Sequence, residues 1–520
     1  MSDKSNSFVP GAWHVSLLTF ISRISGLVRD IVNGRIFGLS PAFDSLILAF
    51  RIPNLFRKLF GEGAFASAFI PVFAETRETR DAQEQTVFLD AVFSGLVLVL
   101  AGIVIVGELI VLVLSAHAGS DSFLLDIIST LLPYLLFICL TAFFGAILNS
   151  LGHFIGPALS PIVLNLSWIA GAIIASFLYT DDLHQVFFLS LVILASGMVQ
   201  SGIQVVLLRR KNIRIRFRIT LTETGFRKVV RSMLPVMLGM AVFQINVLVD
   251  SLFALFMVNE PGALSALYYS DRLAQFPLGV IGIAVATAVF PLFSRLAASQ
   301  KIQELNTTLS DSLGMVFFLA IPASIGLIML RTEILTLLFQ FKAGELQRAS
   351  LTLVFYAIGI AAFCSVHLVS RAFFAVRETS TPVKISVAMV VLNFILNITF
   401  LSLTSLNEGG IALATSIASL VNTITMLVVW RRKRRNQFRG IILSFFRICL
   451  LGICMGGFIF VVLNSPAAPA ILPKSSAMVF VIRILLGVLA GAGFYGGVSY
   501  FLRIREFDYL VSGLRRKTAN

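Results

Sequence analysis

The sequence predicts an all-α polytopic membrane protein with about fourteen transmembrane helices, two parallel-repeat six-helix lobes plus two C-terminal helices. Three observations predict it. Apolar runs of membrane-spanning length recur along the whole chain. Hydrophobic residues make up 57% and charged residues 13% of the 520, with a mean hydropathy of +0.93, which lies outside the soluble range. The Lys and Arg behind the net charge of +15 fall mostly in short joints between apolar runs, where they set topology rather than bind nucleic acid.

The first span runs from about Val15 to Ile36 and the second from Phe43 to Phe73. The second is too long for one straight crossing. Pro53 and Gly61-Glu62-Gly63 interrupt it, so a bent or broken helix is expected, a device that exposes backbone groups around transport sites. Polar Glu75 to Gln85 precedes span three, Phe88 to Leu114, and spans four to six follow at Leu124 to Leu148, Pro157 to Leu178 and Val186 to Leu208. The joint Arg209 to Arg218 holds six basic residues and no acid, which places it in the cytoplasm. Spans seven to twelve lie near Val229 to Phe256, Ala263 to Phe293, Leu313 to Phe339, Leu351 to Val376, Val383 to Leu403 and Gly409 to Trp430. After the basic joint Arg431 to Arg435 come Ile441 to Leu463, Ala477 to Phe501 and a tail containing Arg515-Arg516-Lys517. An even number of crossings puts every strongly basic joint and both termini on the inner side. Asp121, Asp181-Asp182 and Glu260 then fall in outer loops, with Lys342, Arg348 and Lys474 as exceptions. Polar Met1 to Pro10 shows no cleavable signal peptide.

The stretch Leu17 to Phe73 carries Arg23, Arg29, Asp30, Asp44, Arg51 and Arg57 in sequence apolar enough for a membrane. Ionised groups at that depth are expected to face a protein interior or a water-filled cavity. At 100° per residue Arg23 and Asp30 fall about 20° apart on one helix, with Arg29 about 100° away. Asp44, Arg51 and Lys58 repeat the same spacing of seven, so two adjacent helices show mainly positive charge to a shared space.

The chain also repeats. Ala68-Phe69-Ile70-Pro71-Val72-Phe73 is similar to Ala288-Val289-Phe290-Pro291-Leu292-Phe293, 220 residues on, and Ala142-Phe143-Phe144 with Val163-Leu164-Asn165 to Ala372-Phe373-Phe374 with Val391-Leu392-Asn393. Six crossings per unit give parallel repeats, with the cavity expected between them: residues 1–218, residues 219–439, and two added helices with a basic tail in residues 440–520. Span eight supplies Tyr268-Tyr269-Ser270-Asp271-Arg272 and Gln275; Asp271 and Arg272 are either cavity-facing or local interhelical partners. Asp250 and Arg371 are further charge-network candidates.

Enzyme chemistry is not expected. No phosphate-cradling Walker pattern, metal-binding histidine cluster or nucleophilic triad is visible, and His14, His117, His153, His184 and His367 are dispersed packing or interface residues. Cys139, Cys364, Cys449 and Cys454 are expected as small buried hydrophobes rather than disulfides or ligands.

Ser22-Arg23-Ile24-Ser25-Gly26-Leu27-Val28-Arg29-Asp30, the run Arg51 to Phe65, Ala68-Phe69-Ile70-Pro71, Tyr269-Ser270-Asp271-Arg272 with Phe276-Pro277, and Ala372-Phe373-Phe374-Ala375 together resemble the MurJ/MviN family, the lipid II flippases of bacterial peptidoglycan synthesis. That resemblance implies a fourteen-helix transporter of the multidrug/oligosaccharidyl-lipid/polysaccharide exporter superfamily, with a cationic cavity and a lipid-facing groove at the last two helices. It implies movement of undecaprenyl-pyrophosphate carrying the disaccharide-pentapeptide from inner to outer leaflet of the bacterial cytoplasmic (inner) membrane. The family's arginines carry over to Arg23, Arg29, Arg57 and Arg272 as substrate-binding residues. Asp30, Asp44, Arg51, Asp250, Asp271, Gln275 and Arg371 form the expected gating or charge network; where a family member can carry glutamate, this chain has Gln275.

Charge-assisted, often bidentate hydrogen bonds from the arginines suit a pyrophosphate, while Asp30 orients an arginine and keeps the patch from holding its anion too tightly. No cofactor is expected; an ion gradient or the membrane potential drives alternating access, and the sequence identifies no sodium or proton site. Expected partners are lipid II, anionic membrane lipids and the peptidoglycan synthesis machinery, with the protein a monomer. Export of another polyprenyl-linked glycan or a cationic drug, and a non-transporting cell-envelope scaffold, are the alternative readings.

Overall fold

The structure, a computed structural model, describes residues 8–118, 122–220, 222–434, 439–465 and 477–518. The outer-loop Asp121 and Lys474 and the last arginine of the second basic joint, Arg435, lie outside them. The regular elements are all helical: α1 (Phe8–Phe37), α2 (Pro41–Phe56), α3 (Ala64–Thr79), α4 (Ala82–Ala118), α5 (Phe123–Ser150), α6 (Ile155–Leu178), α7 (Asp182–Arg210), α8 (Thr224–Phe256), α9 (Ala263–Pro277), α10 (Ala284–Ala298), α11 (Ile302–Met329), α12 (Arg331–Phe339), α13 (Ala343–Ala375), α14 (Ser380–Leu403), α15 (Glu408–Arg434), α16 (Arg439–Asn464), α17 (Ala477–Phe501) and α18 (Arg505–Thr518).

Among the described residues, twelve helical segments are long and apolar enough to cross a membrane. They are the third to fourteenth expected spans. The first two expected spans are α1 and the rod from α2 to α3, which carry the charges singled out above. Outward faces match a lipid surroundings: on α4, Ile105, Val106, Leu109, Leu112 and Val113 are all exposed.

The interrupted helix occurs twice. α2 passes through Pro53 into a wider π-helical turn at Arg57–Glu62 before α3. α9 ends at Pro277, and a π turn at Leu278–Ile283 leads into α10. Proline removes a backbone donor, and a π turn absorbs the offset by widening the ladder. At Gly282 a Cβ would stand 2.8 Å from the Cα of Cys364, so the second turn lies directly against the backbone of α13.

The chain divides into two compact units, Met1–Ser251 and Leu252–Asn520, with the division inside α8. In the first, α5 is central and packs on α2, α4, α6 and α7, while α6 packs on α1 and α7. In the second, α13 takes the same role against α9, α11 and α15, with α14 on α15. Since lipid is as apolar as leucine, association in each unit depends on close packing and interhelical hydrogen bonds. Thr141 and Ser201 share one at 3.0 Å, Gln204 donates to the Gly156 carbonyl at 2.8 Å, and Ser416 donates to the Phe355 carbonyl at 2.7 Å.

Two expectations need correction. The ninth span does not run through to Phe339: α11 ends at Met329, where the Leu330 amide closes on the Gly326 carbonyl at 3.0 Å. α12 is a separate short helix, tied to α17 by an ion pair of 3.0 Å between Glu333 and Arg483. Cys139 and Cys364 are buried, but Cys449 is half-buried and Cys454 is exposed on α16, on a face with exposed Leu450 and Ile453. A thiol is apolar enough to face lipid. All four cysteines are free.

Candidate functional site

Polar residues on α1 and α6 meet inside the first unit. The Arg29 Nε and Nη2 atoms donate to Asp30 Oδ1 at 3.2 and 2.9 Å, and Nη1 donates to Asn165 Oδ1 at 3.1 Å. The guanidinium lies over the Trp168 ring, 5.0 Å from its centroid. Arg29 and Asp30 are 8% and 5% exposed, so this charged pair is taken from the surroundings and compensated within the protein, as a charge at membrane depth requires.

The network extends through aromatic contacts. Trp168 meets Phe50 edge-on at 4.9 Å, and Phe50 meets Tyr134 at 5.9 Å. The π turn that carries Arg57 packs on α5, the helix of Tyr134. Arg57 opens the π turn, and its Nε and Nη2 donate to Asn54 Oδ1 at 3.0 and 2.8 Å. Arg51, a turn and a half earlier, donates from Nη1 to the Val247 carbonyl at 2.9 Å and to the Ser251 hydroxyl on α8.

Arg23 is exposed on α1, although a 20° separation had placed it beside Asp30. Asn165 of α6 reaches Ser22, Ser25 and Arg29, so α6 packs on the neighbouring face of α1, from which Arg23 turns away. Asp44 is 3% exposed in the first turn of α2, where a negative charge suits the helix N-terminus; the Ser40 hydroxyl there accepts from the Phe43 amide at 3.3 Å. Asp250 accepts from Asn246 at 3.4 Å.

In the second unit, Arg272 is exposed and lies over Tyr268 at 5.2 Å, while Gln275 donates to Asp271 on the next turn. Arg371 lies over Phe290 at 5.2 Å. Among the described residues no group of three or more His, Cys, Asp or Glu could hold a metal ion.

Residues 34–481 match the family model described as "Lipid II flippase MurJ". The chain belongs to the MurJ family. Among its relatives, a probable lipid II flippase MurJ of Vibrio cholerae is 35% identical over 428 residues, covering 78% of this chain and 80% of the relative. One of Haemophilus influenzae is 31% identical over 469 residues, covering 84% and 89%. A solved structure of lipid II flippase MurJ in an inward closed conformation aligns at a TM-score of 0.76 with 27% identity, covering 94% of this chain and 99% of that one. An inward-facing multidrug-resistance MATE transporter, 15% identical with a TM-score of 0.63 over 80% of this chain and 94% of its own, shares the fold.

The sequence analysis missed Asn165, Trp168 and Asn54 as partners of the arginines, and Asn33 as the partner of Trp168. The signal available was an amide and an indole three residues apart in an otherwise apolar span. Their role depends on which span lies opposite α1.

The joint after α7 is also more structured than its basic composition implies. The Arg216 amide donates to Asp90 Oδ1 at 2.8 Å and the Arg218 amide to Ser94 Oγ at 2.7 Å, fastening it along α4. Arg80 pairs with Glu223 at 2.6 Å, and Lys228 with Glu75 at 2.5 Å. These ion pairs border an open cleft of about 220 Å³ lined in part by Val72, Thr76, Thr224 and Gly225. Burial pushes the Glu223 carboxyl up, but Arg80 and the Gly225 and Phe226 amides outweigh it and hold the group below its ordinary value. The Lys228 ammonium, through a hydrogen bond and its charge, lowers Glu75.

Proposed function

We propose that this chain is a lipid II flippase, carrying the undecaprenyl-pyrophosphate-linked peptidoglycan precursor from the inner to the outer leaflet by alternating access. The observation that carries the reading is the buried Arg29–Asp30 pair on α1 of a MurJ-family chain. Its relatives bear the name lipid II flippase. A diphosphate is a compact, strongly charged target that arginines bind through paired N–H groups. Arg23, Arg29 and Arg57 are the first unit's headgroup contacts in this proposal, and Arg272 is the second unit's.

Asp30 offsets the arginine charge so that the diphosphate is released again. Asp44, Arg51, Asp250, Asp271, Gln275 and Arg371 organise and gate. Residues 1–218 and 219–439 are the functional lobes, and residues 440–520 the accessory helices with a cytoplasmic tail. The protein works as a monomer in the bacterial inner membrane, both termini cytoplasmic, with the inner joints attracted to anionic lipid and the synthesis machinery supplying substrate. Membrane potential or an ion gradient supplies direction.

The test is leaflet-resolved accessibility of lipid II in cells depleted of the protein and complemented with wild type or Arg29→Ala, with abundance and insertion checked. Loss of outer-leaflet lipid II on depletion, restored by wild type and not by the inserted Arg29→Ala protein, is the expected result. Unchanged exposure after confirmed depletion, with no second flippase present, excludes the function.

A further inference from the structure

We infer that Asn165 and Trp168 of α6 sheath Arg29 and set when it can take the substrate's diphosphate; they are positioning residues for transport, an inference that rests on Arg29 being a headgroup contact. A guanidinium holds an oxyanion best through an edge that offers two parallel N–H groups, either Nε with Nη2 or Nη1 with Nη2. Asp30 occupies the first edge, since both Nε and Nη2 donate to its Oδ1. Asn165 engages the second through Nη1 at 3.1 Å. Trp168 covers a face of the same group, with its centroid 5.0 Å away.

Both α6 residues are locked in these poses. Asn165 Nδ2 donates to the Ser22 carbonyl at 3.2 Å and to Ser25 Oγ at 3.1 Å, which turns its Oδ1 toward Arg29. Rotated by half a turn, the amide would set N–H groups against a cation. Trp168 Nε1 donates to Asn33 Oδ1 at 3.1 Å, which fixes the plane of the ring. Asn165 and Trp168 are 6% and 4% exposed.

Bidentate capture of a diphosphate by Arg29 therefore competes with the contacts it makes in this state. Asp30 travels with Arg29 on α1, whereas Asn165 and Trp168 belong to α6. A small displacement of α1 against α6 changes the α6 contacts while the Asp30 contact persists. The sheath thus links headgroup affinity to conformation, and a ligand shifts an equilibrium only by its differential affinity for the two states. A partly desolvated cation–π contact changes binding by about 2- to 30-fold.

The experiment measures binding of undecaprenyl pyrophosphate to the full-length protein in phosphatidylcholine nanodiscs, and lipid II transport in proteoliposomes. Trp168→Leu is expected to bind undecaprenyl pyrophosphate about 2- to 30-fold tighter than wild type, with a lower KM and a lower kcat for transport. Trp168→Phe keeps a ring face and loses the bond to Asn33, so it should fall between the two. Adding Arg29→Ala to Trp168→Leu should abolish the gain. Should Trp168→Leu fail to insert, Asn165→Ser supplies the same readout by removing the Nη1 acceptor. Unchanged or weaker binding in an inserted variant of normal melting temperature overturns the sheath and leaves α6 a packing element. If Arg29→Ala alone leaves undecaprenyl pyrophosphate affinity unchanged, the headgroup reading itself fails, and the sheath with it.

Discussion

Arg29 and Arg57 each bring Nε and Nη2 to one side-chain oxygen on their own helix, Asp30 Oδ1 and Asn54 Oδ1 respectively. Lysine cannot reproduce that geometry, because an ammonium has no planar fork. Arg29→Lys is expected to lose about ten- to hundredfold in transport rate, the size of one or two lost hydrogen bonds to a charged group, although the charge is kept. Transport in proteoliposomes at equal protein density checks this, and wild-type rates would show that charge alone suffices. Arg51 has a different task, since its bonds to Val247 and Ser251 join α2 to α8. Arg51→Ala should lower stability by about 1–3 kcal/mol through the carbonyl and hydroxyl it leaves behind, read as a fall in the unfolding temperature of the purified protein.

At the scale of elements, the two π turns do the work that straight helices cannot. The first seats Arg57 against Asn54 and packs on α5; the second brings α9 and α10 against α13. Gly282→Ala would push a methyl group into the Cys364 backbone and is expected to cost about 1–3 kcal/mol. Gly279→Ala, in the same turn, has nothing within 4 Å to meet and should change stability little. Thermal unfolding of the two variants side by side tests whether the close approach matters.

The fastened joint between α7 and α8 should respond to acid. Glu75 and Glu223 have lowered pKa values in the folded protein. Their ion pairs are therefore fully formed above the ordinary glutamate value of 4.5 and are lost as pH falls through the lower folded values. The protection of amides 222–228 against hydrogen exchange, relative to the intrinsic rate at each pH, should hold from neutrality down to that value and fall below it. Glu223→Gln should give faster exchange there at neutral pH as well. At Gly225 a Cβ would meet the Phe88 ring at 2.8 Å, which gives the start of α8 a second, uncharged hold that acid does not release.

For the whole molecule, topology is the property to test. With the four native cysteines replaced by alanine, Asp182→Cys should react with a membrane-impermeant maleimide in intact spheroplasts, and Arg214→Cys only after permeabilisation. Arg214 is exposed and Asp182 half-exposed, so a failure to label reports the side of the membrane rather than full burial. Labelling of residue 214 from outside would reverse the orientation.

The sequence by itself determined the helical membrane class, the order of the spans and the interruption of the second; the matching break in the eighth, at Leu278–Ile283, came from the structure. The first three follow from quantities local to the chain: the length of an apolar run, a proline, a cluster of basic residues. The sequence also determined that charge concentrates in Leu17 to Phe73. The expected ninth span ran across Arg331-Thr332-Glu333, a polar interruption that marks the Leu330 break, and the anchoring of α12 by Arg483, more than 140 residues away in the chain, came only with the structure. Nor did the sequence reveal which charges meet. Arg23 and Asp30 share a direction on α1, yet Arg29 is paired and Arg23 exposed, because α6 packs along the Ser22, Ser25 and Arg29 face. The partners Asn165 and Trp168 are 136 and 139 residues from Arg29, and only packing of α6 on α1 brings them together. Span existence is decided by transfer of the chain into lipid, one segment at a time; a buried charge network is decided by which segments touch.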